Sequence, residues 1–115
     1  MFREEDGSCP FLDWFDGLGL KAQDKCYLHL ERLAELGHEL RRPEGDLLRD
    51  GIHELRIGLQ GSNYRILYFF HGRMAAVVSH GLVKLRAVPP REIDRAAERK
   101  RRFEADPQKH TYEEA

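Results

Sequence analysis

At 115 residues, 41% of them hydrophobic, the chain can build one modest core and is too short for two domains. A formal net charge of −1 argues against a uniformly basic nucleic-acid binder, and two cysteines are too few for a disulfide framework or a cysteine-based zinc site. No run approaches the length of a membrane span and the start MFREEDG is unlike a secretory signal, so a cytoplasmic protein without membrane contact is expected.

Met1 to Gly7 is polar with Phe2 as its only apolar anchor, so any strand there is brief. Ser8 is placed to cap a helix whose first turn holds Pro10, where a missing N–H costs nothing. Phe11, Phe15 and Leu18, flanked by Leu12 and Trp14, carry helical spacing up to Gly17 and Gly19. A second helix, about Lys21 to Leu36, repeats apolar residues at Cys26, Leu30, Leu33 and Ala34, and Gly37 stops it. The aromatic cluster Phe11, Trp14 and Phe15 reads as core packing rather than a ligand platform. His38 to Asp50 reads as a connector whose Leu40, Leu47 and Leu48 tuck under the sheet.

Gly51 to Gly81, GIHELRIGLQGSNYRILYFFHGRMAAVVSHG, is dense in β-branched and aromatic residues and broken at Gln60-Gly61-Ser62-Asn63 and at Gly72-Arg73. It predicts three antiparallel strands in a meander. A first loop of even length, with Leu59 opposite Tyr64, puts Leu55, Ile57, Leu59, Tyr64, Ile66, Tyr68 and Phe70 on a core face for the helices to cover. The other face then carries Glu54, Arg56, Gly58, Arg65, Leu67 and Phe69. With a second even loop, Leu67 faces Val78 and Arg65 faces His80, so Arg56, Arg65 and His80 share one surface, with Gly58 leaving room above it. An odd loop or a bulge would break that arrangement.

After the meander, paired prolines precede a helix over PREIDRAAERKRRF with Ile93, Ala96, Ala97 and Phe103 on one side. Asp106-Pro107 ends it, and residues 106–115 read as a frayed tail of the one domain spanning 1–115. The expected fold class is α+β: a helical hairpin packed on a twisted antiparallel meander, with a C-terminal helix. Charge is uneven along the chain, because acidic residues outnumber basic ones over 1–50 and basic residues dominate 51–103. The run RAAERKRR is either a phosphate-facing surface or a solvated helix face.

The residues suited to phosphate and proton chemistry are Arg56, Arg65, His80 and Lys84, with Arg73, Arg86 and Arg91 as candidate nucleic-acid contacts. There is no HExxH, GxSxG or glycine-rich phosphate loop, so no metal or cofactor is expected. Most of the six histidines are expected to be ordinary surface or loop residues.

The strings LLRDGIHELRIGLQGSNYRILYFFHGR and HGLVKLRAVPPREIDRAAERKRRF, preceded by FLDWFDGL and LAELGHELRRPEGD, resemble the RelE/ParE toxin superfamily, specifically its phage-derived HigB-type branch. The patterns GIxELR, GxxYRIxYFF and VKxxxxxPxxEIxxA carry the resemblance over roughly residues 3–104. It implies a toxin of a type II toxin–antitoxin system, usually a ribosome-dependent, metal-independent endoribonuclease that cuts mRNA. A helix-turn-helix antitoxin, the ribosome and mRNA are the implied partners, with DNA met only through the antitoxin complex.

Carried over by motif, Arg56 and Arg65 are the family's basic positions on the sheet and Lys84 is its basic residue after the last strand. The chemistry is attack by an RNA 2′-hydroxyl on the adjacent phosphate, with the arginines at the phosphoryl oxygens, His80 or else Glu54 moving the proton and Lys84 at the leaving oxygen. The chain departs from the family in its short segment before the first helix, and in Leu85 and Val88 where lysines are usual. Two alternatives follow: a non-catalytic, gyrase-inhibiting toxin of the ParE kind, and a decayed toxin that acts as an antitoxin-binding partner.

Overall fold

The computed structural model describes residues 1–72, 75–83 and 87–112. Two helices, α1 (Pro10–Phe15) and α2 (Leu20–Leu36), precede four strands, β1 (Gly45–Arg49), β2 (Ile52–Leu59), β3 (Ser62–His71) and β4 (Ala75–Val83), and α3 (Pro90–Ala105) follows. The strands form one antiparallel sheet in the order β1-β2-β3-β4. This is the expected α+β meander with one strand more. β1 lies in the segment read as a connector. It is short, and only Leu47 and Leu48 give it an apolar signal, of which Leu47 stays 56% exposed as an edge residue.

Both turns that join β1 to β2 and β2 to β3 are tight. Asp50 and Gly51 have φ of 54° and 75°, Gln60 and Gly61 of 50° and 82°, as a two-residue turn with two left-handed positions requires. The second of these pairs Leu59 with Ser62, so Arg56 lies directly opposite Arg65 and Gly58 opposite Asn63. The loop is two residues shorter than the pairing of Leu59 with Tyr64 assumed, which moves each partner by two positions and leaves the faces unchanged.

On β4 two irregularities cancel. Three residues separate the pair His71↔Ala75, an odd number, and Ser79 is an extra residue between the pairs Tyr68↔Val78 and Leu67↔His80. His80 therefore emerges on the expected face but opposite Leu67, and Leu82 takes the place opposite Arg65.

The two faces carry separate cores. Leu55, Ile57, Ile66, Tyr68 and Val78 pack against Phe11, Cys26 and Leu33 of the helical hairpin. Ile52, Leu67, Phe69 and Val77 pack against Ile93, Ala96, Ala97 and Phe103 of α3. Trp14 lies on the backbone of Gly81, where any side chain would strike its indole ring. Ser8 is not the cap of α1: its amide and hydroxyl both bond the Asp6 carboxylate, at 2.9 and 2.7 Å, and Cys9 takes the cap position. In α2, Ala22 is buried while Ala34 faces outward.

Residues 107–112 return to the start of the chain. Phe2, fully buried, bridges Thr111 and bonds Val78 through its backbone, and the His110 ring stacks on it at 5.0 Å while Nδ1 bonds the Arg3 carbonyl at 2.8 Å. Phe2 has thus recruited the segment that reads as a fray, because its ring needs a cover that the polar first residues do not supply.

Candidate functional site

The α3 side of the sheet is covered only in part. Beyond Leu67, the face continues through Arg56, Gly58, Asn63 and Arg65, which border an open cleft of about 360 Å³ completed by His29, Pro43, Glu44 and Ile57. The cleft exists because β1 is short. Its pairing with β2 ends at Gly45↔Leu55, the Arg56 amide bonds the Glu44 carbonyl at 2.7 Å, and past that point the edge of β2 away from β3 has no strand beside it. Lys25 of α2 reaches the Gly58 carbonyl there. A Cβ at Gly58 would meet nothing within 4 Å, so the floor between the arginines and the turn is clear.

The charges lie in adjacent rungs across the strands. One rung runs Asp46, Glu54, Leu67, His80, and the next holds Arg56, Arg65 and Leu82. Glu54 is 4% exposed, and its Oε1 sits 3.0 Å from Nε of Arg56 and 2.9 Å from Nε of Arg65. Asp46 adds a contact of 3.1 Å to Nη2 of Arg56 and is itself held by Arg42 at 2.9 Å. The Arg42 hydrogen bond keeps the Asp46 carboxyl below the usual carboxylate range.

The two arginines are unequal. The Arg56 side chain is 37% exposed and makes aligned bonds to both carboxylates. Arg65 is 14% exposed, and its Nε, although close to Glu54, is not aligned for a hydrogen bond and is one of two buried donors without one among the described residues. Its other contact is a 3.3 Å bond from Nη1 to the Tyr64 carbonyl. A guanidinium with donors to spare faces a cleft.

His80 stands one rung away, 6% exposed beneath α3. Its Nδ1 accepts from the Ser79 hydroxyl at 2.8 Å and from Nη1 of Arg99 at 2.9 Å, which places the proton on Nε2, 3.0 Å from Glu92. Burial, and then the Arg99 charge, push its pKa down to about 4, so the ring is neutral at pH 7. Arg99 continues to Glu4 at 3.2 Å, and Arg102 joins the same carboxylate at 3.1 Å. Burial alone would raise the Glu4 carboxyl, but Arg102 and Arg99 outweigh it and hold it low.

The structure thus brings Arg56 and Arg65 together and sets His80 beside them on the same face, at greater depth. Arg91 is 78% exposed in the first turn of α3. Lys84, Arg73 and Arg86 lie outside the described residues. Much of the basic run of α3 is spent on carboxylates within the chain: Arg95 on Glu92, Arg99 and Arg102 on Glu4, Lys100 on Glu104, Arg101 on Glu98. Sequence reasoning did not single out Asp46, Glu92 or Arg99. Glu54 was visible as a same-face neighbour of Arg56 two residues away, whereas Asp46 becomes a neighbour only once β1 is known to be a strand.

Residues 13–101 match a protein family described as "Phage derived protein Gp49-like (DUF891)". The chain belongs to the phage-derived Gp49-like family. Gp49-like proteins are a RelE-like toxin family of toxin–antitoxin systems, and an antitoxin is the partner that membership suggests. The matched region takes in α2, the whole sheet and most of α3, hence both arginines, Glu54 and His80. Neither a curated protein nor a solved structure matches the chain. No helix among the described residues is long and apolar enough to cross a membrane.

Proposed function

We propose that this Gp49-like chain is a HigB-type toxin of a type II system that cuts mRNA on the ribosome and is silenced by a helix-turn-helix antitoxin. The observation that carries the reading is Arg56 directly opposite Arg65 at the open end of the sheet, two permanently charged planar donors at the spacing of one β-pair. Such a pair suits the phosphoryl oxygens of a scissile phosphate, which gain charge as the 2′-oxygen attacks. The 2′-hydroxyl loses its proton, the 2′-oxygen bonds phosphorus, and the 5′-oxygen leaves with a proton, giving a 2′,3′-cyclic phosphate. In this reading Lys84, just past the end of β4, protonates the leaving oxygen. His80, neutral at pH 7, takes up the first proton at Nδ1 once Ser79 and Arg99 release that nitrogen, while Nε2 stays on Glu92. Arg73, Arg86 and Arg91 contact the flanking strand and ribosomal RNA.

A second reading is a non-catalytic toxin that binds gyrase. It is favoured by the engagement of both guanidiniums with Glu54 and by the burial of His80, which leave no acid–base pair standing open. Controlled expression in a bacterial host separates the two. The nuclease reading predicts arrest of translation and growth with truncated messages and no DNA-damage response. A DNA-damage response with intact messages replaces it with the second reading.

A further inference from the structure

We propose that Glu54 is a built-in competitor for the anion seat, so that the free protein holds its own carboxylate where an RNA phosphate would bind. The inference rests on the assignment of Arg56 and Arg65 to phosphate binding. One oxygen of Glu54 lies 3.0 Å from Arg56 and 2.9 Å from Arg65, the place that a bridging phosphoryl oxygen would take. The carboxylate is 4% exposed and carried by a central strand, so in the free protein it is tethered at the guanidiniums. Asp46 repeats the arrangement at the outer side of Arg56, 3.1 Å from Nη2.

A tethered competitor acts at high effective concentration, and a phosphodiester displaces it only with help from contacts elsewhere. The misaligned Nε of Arg65 fits a seat shaped for a different anion, because a matched carboxylate would take aligned, paired hydrogen bonds from the guanidinium. The consequence is a toxin with little affinity for free RNA, which becomes competent where a large surface such as the ribosome supplies the remaining binding energy. The internal carboxylates thus guard against indiscriminate binding of cellular RNA.

The test is binding of a fluorescein-labelled single-stranded RNA oligonucleotide at fixed, low salt, followed by anisotropy. Glu54→Gln keeps the shape and removes the charge. It is expected to bind about 10-fold more tightly than wild type and to steepen the salt dependence by roughly one phosphate contact. Asp46→Asn, which loosens Arg56 and releases Arg42 but leaves Glu54 in place, is expected to fall between them and serves if Glu54→Gln folds poorly. Glu44→Gln is the control for net charge: Glu44 borders the same cleft but bonds Arg32 and His29, and its loss is expected to change affinity less than about twofold.

Equal or weaker binding by folded Glu54→Gln, or an equal gain from Glu44→Gln, overturns the competitor role while leaving the arginines as the RNA seat, provided Arg56→Ala still weakens wild-type binding. Failure of folded Glu54→Gln and wild type alike to bind RNA, with Arg56→Ala no different, overturns both the competitor and the phosphate assignment beneath it.

Discussion

Glu54 makes the two arginines of the cleft chemically different. Arg65 and Glu54 are both largely out of water, so Arg65→Ala strands a buried carboxylate on one remaining partner and is expected to cost about 3 kcal/mol of stability. Arg56, more than a third exposed, shares its carboxylates with other cations, and Arg56→Ala is expected to cost no more than about 1 kcal/mol. Urea titrations of the two variants measure the difference, and equal losses would refute the asymmetry. Activity is therefore best probed at Arg56. His80 is one of the groups that make the fold sensitive to acid. Its folded pKa of about 4 lies below the ordinary value of 6.5, so the unfolded chain binds a proton that the folded one refuses. Stability is thus full above about pH 6.5 and falls as pH drops towards 4, by up to about 3 kcal/mol. His80→Asn keeps an acceptor near Arg99 and removes the titration, so its denaturation midpoint should change little between pH 7 and 5 while the wild-type midpoint falls.

Among the elements, β4 shows how a local fault serves the site. Without the extra residue at Ser79, the odd connection from β3 would turn His80 towards the helical hairpin; with it, the ring stands in the rung next to Arg65. One residue further, the strand presents Gly81 to the face of Trp14. Gly81→Val is expected to cost at least about 2 kcal/mol by driving Trp14 off the sheet, and much of that loss should vanish when Trp14→Ala is already present. A double-mutant cycle by urea denaturation reads the coupling; strict additivity would mean that Trp14 does not pack there. α2 and α3 were legible from periodicity, and Gly37 ended α2 where its sequence implied. The same-face relation of Arg56 and Arg65 was legible too, since it depends only on the parity of one loop. The exact partners were not, because a two-residue and a four-residue loop share that parity. β1 escaped notice because five residues flanked by charges give an edge strand no alternation to read, and Asp46 escaped with it.

For the molecule as a whole, the sheet is a wall between two cores: the hairpin covers one side fully enough to hide Tyr68, and α3 covers the other only in part. The open remainder is where the chain's unevenly placed charge comes to a focus, and even there two carboxylates stand against two guanidiniums. The basic surplus read along the sequence after residue 51 is therefore smaller in space than in line, since the first half of the chain sends Glu4 and Asp46 to meet it. Under the proposed function, such a surface suits a seat for one phosphate rather than a broad polyanion track. The most direct test is cleavage of a defined message by the purified protein on translating ribosomes, mapped by primer extension. Cuts are expected in the translated region, lost when ribosomes are withheld and reduced about 100-fold or more by Arg56→Ala in a protein that remains folded. Undiminished cutting by Arg56→Ala, or an uncut message with active wild-type protein that arrests growth, would contradict the nuclease reading.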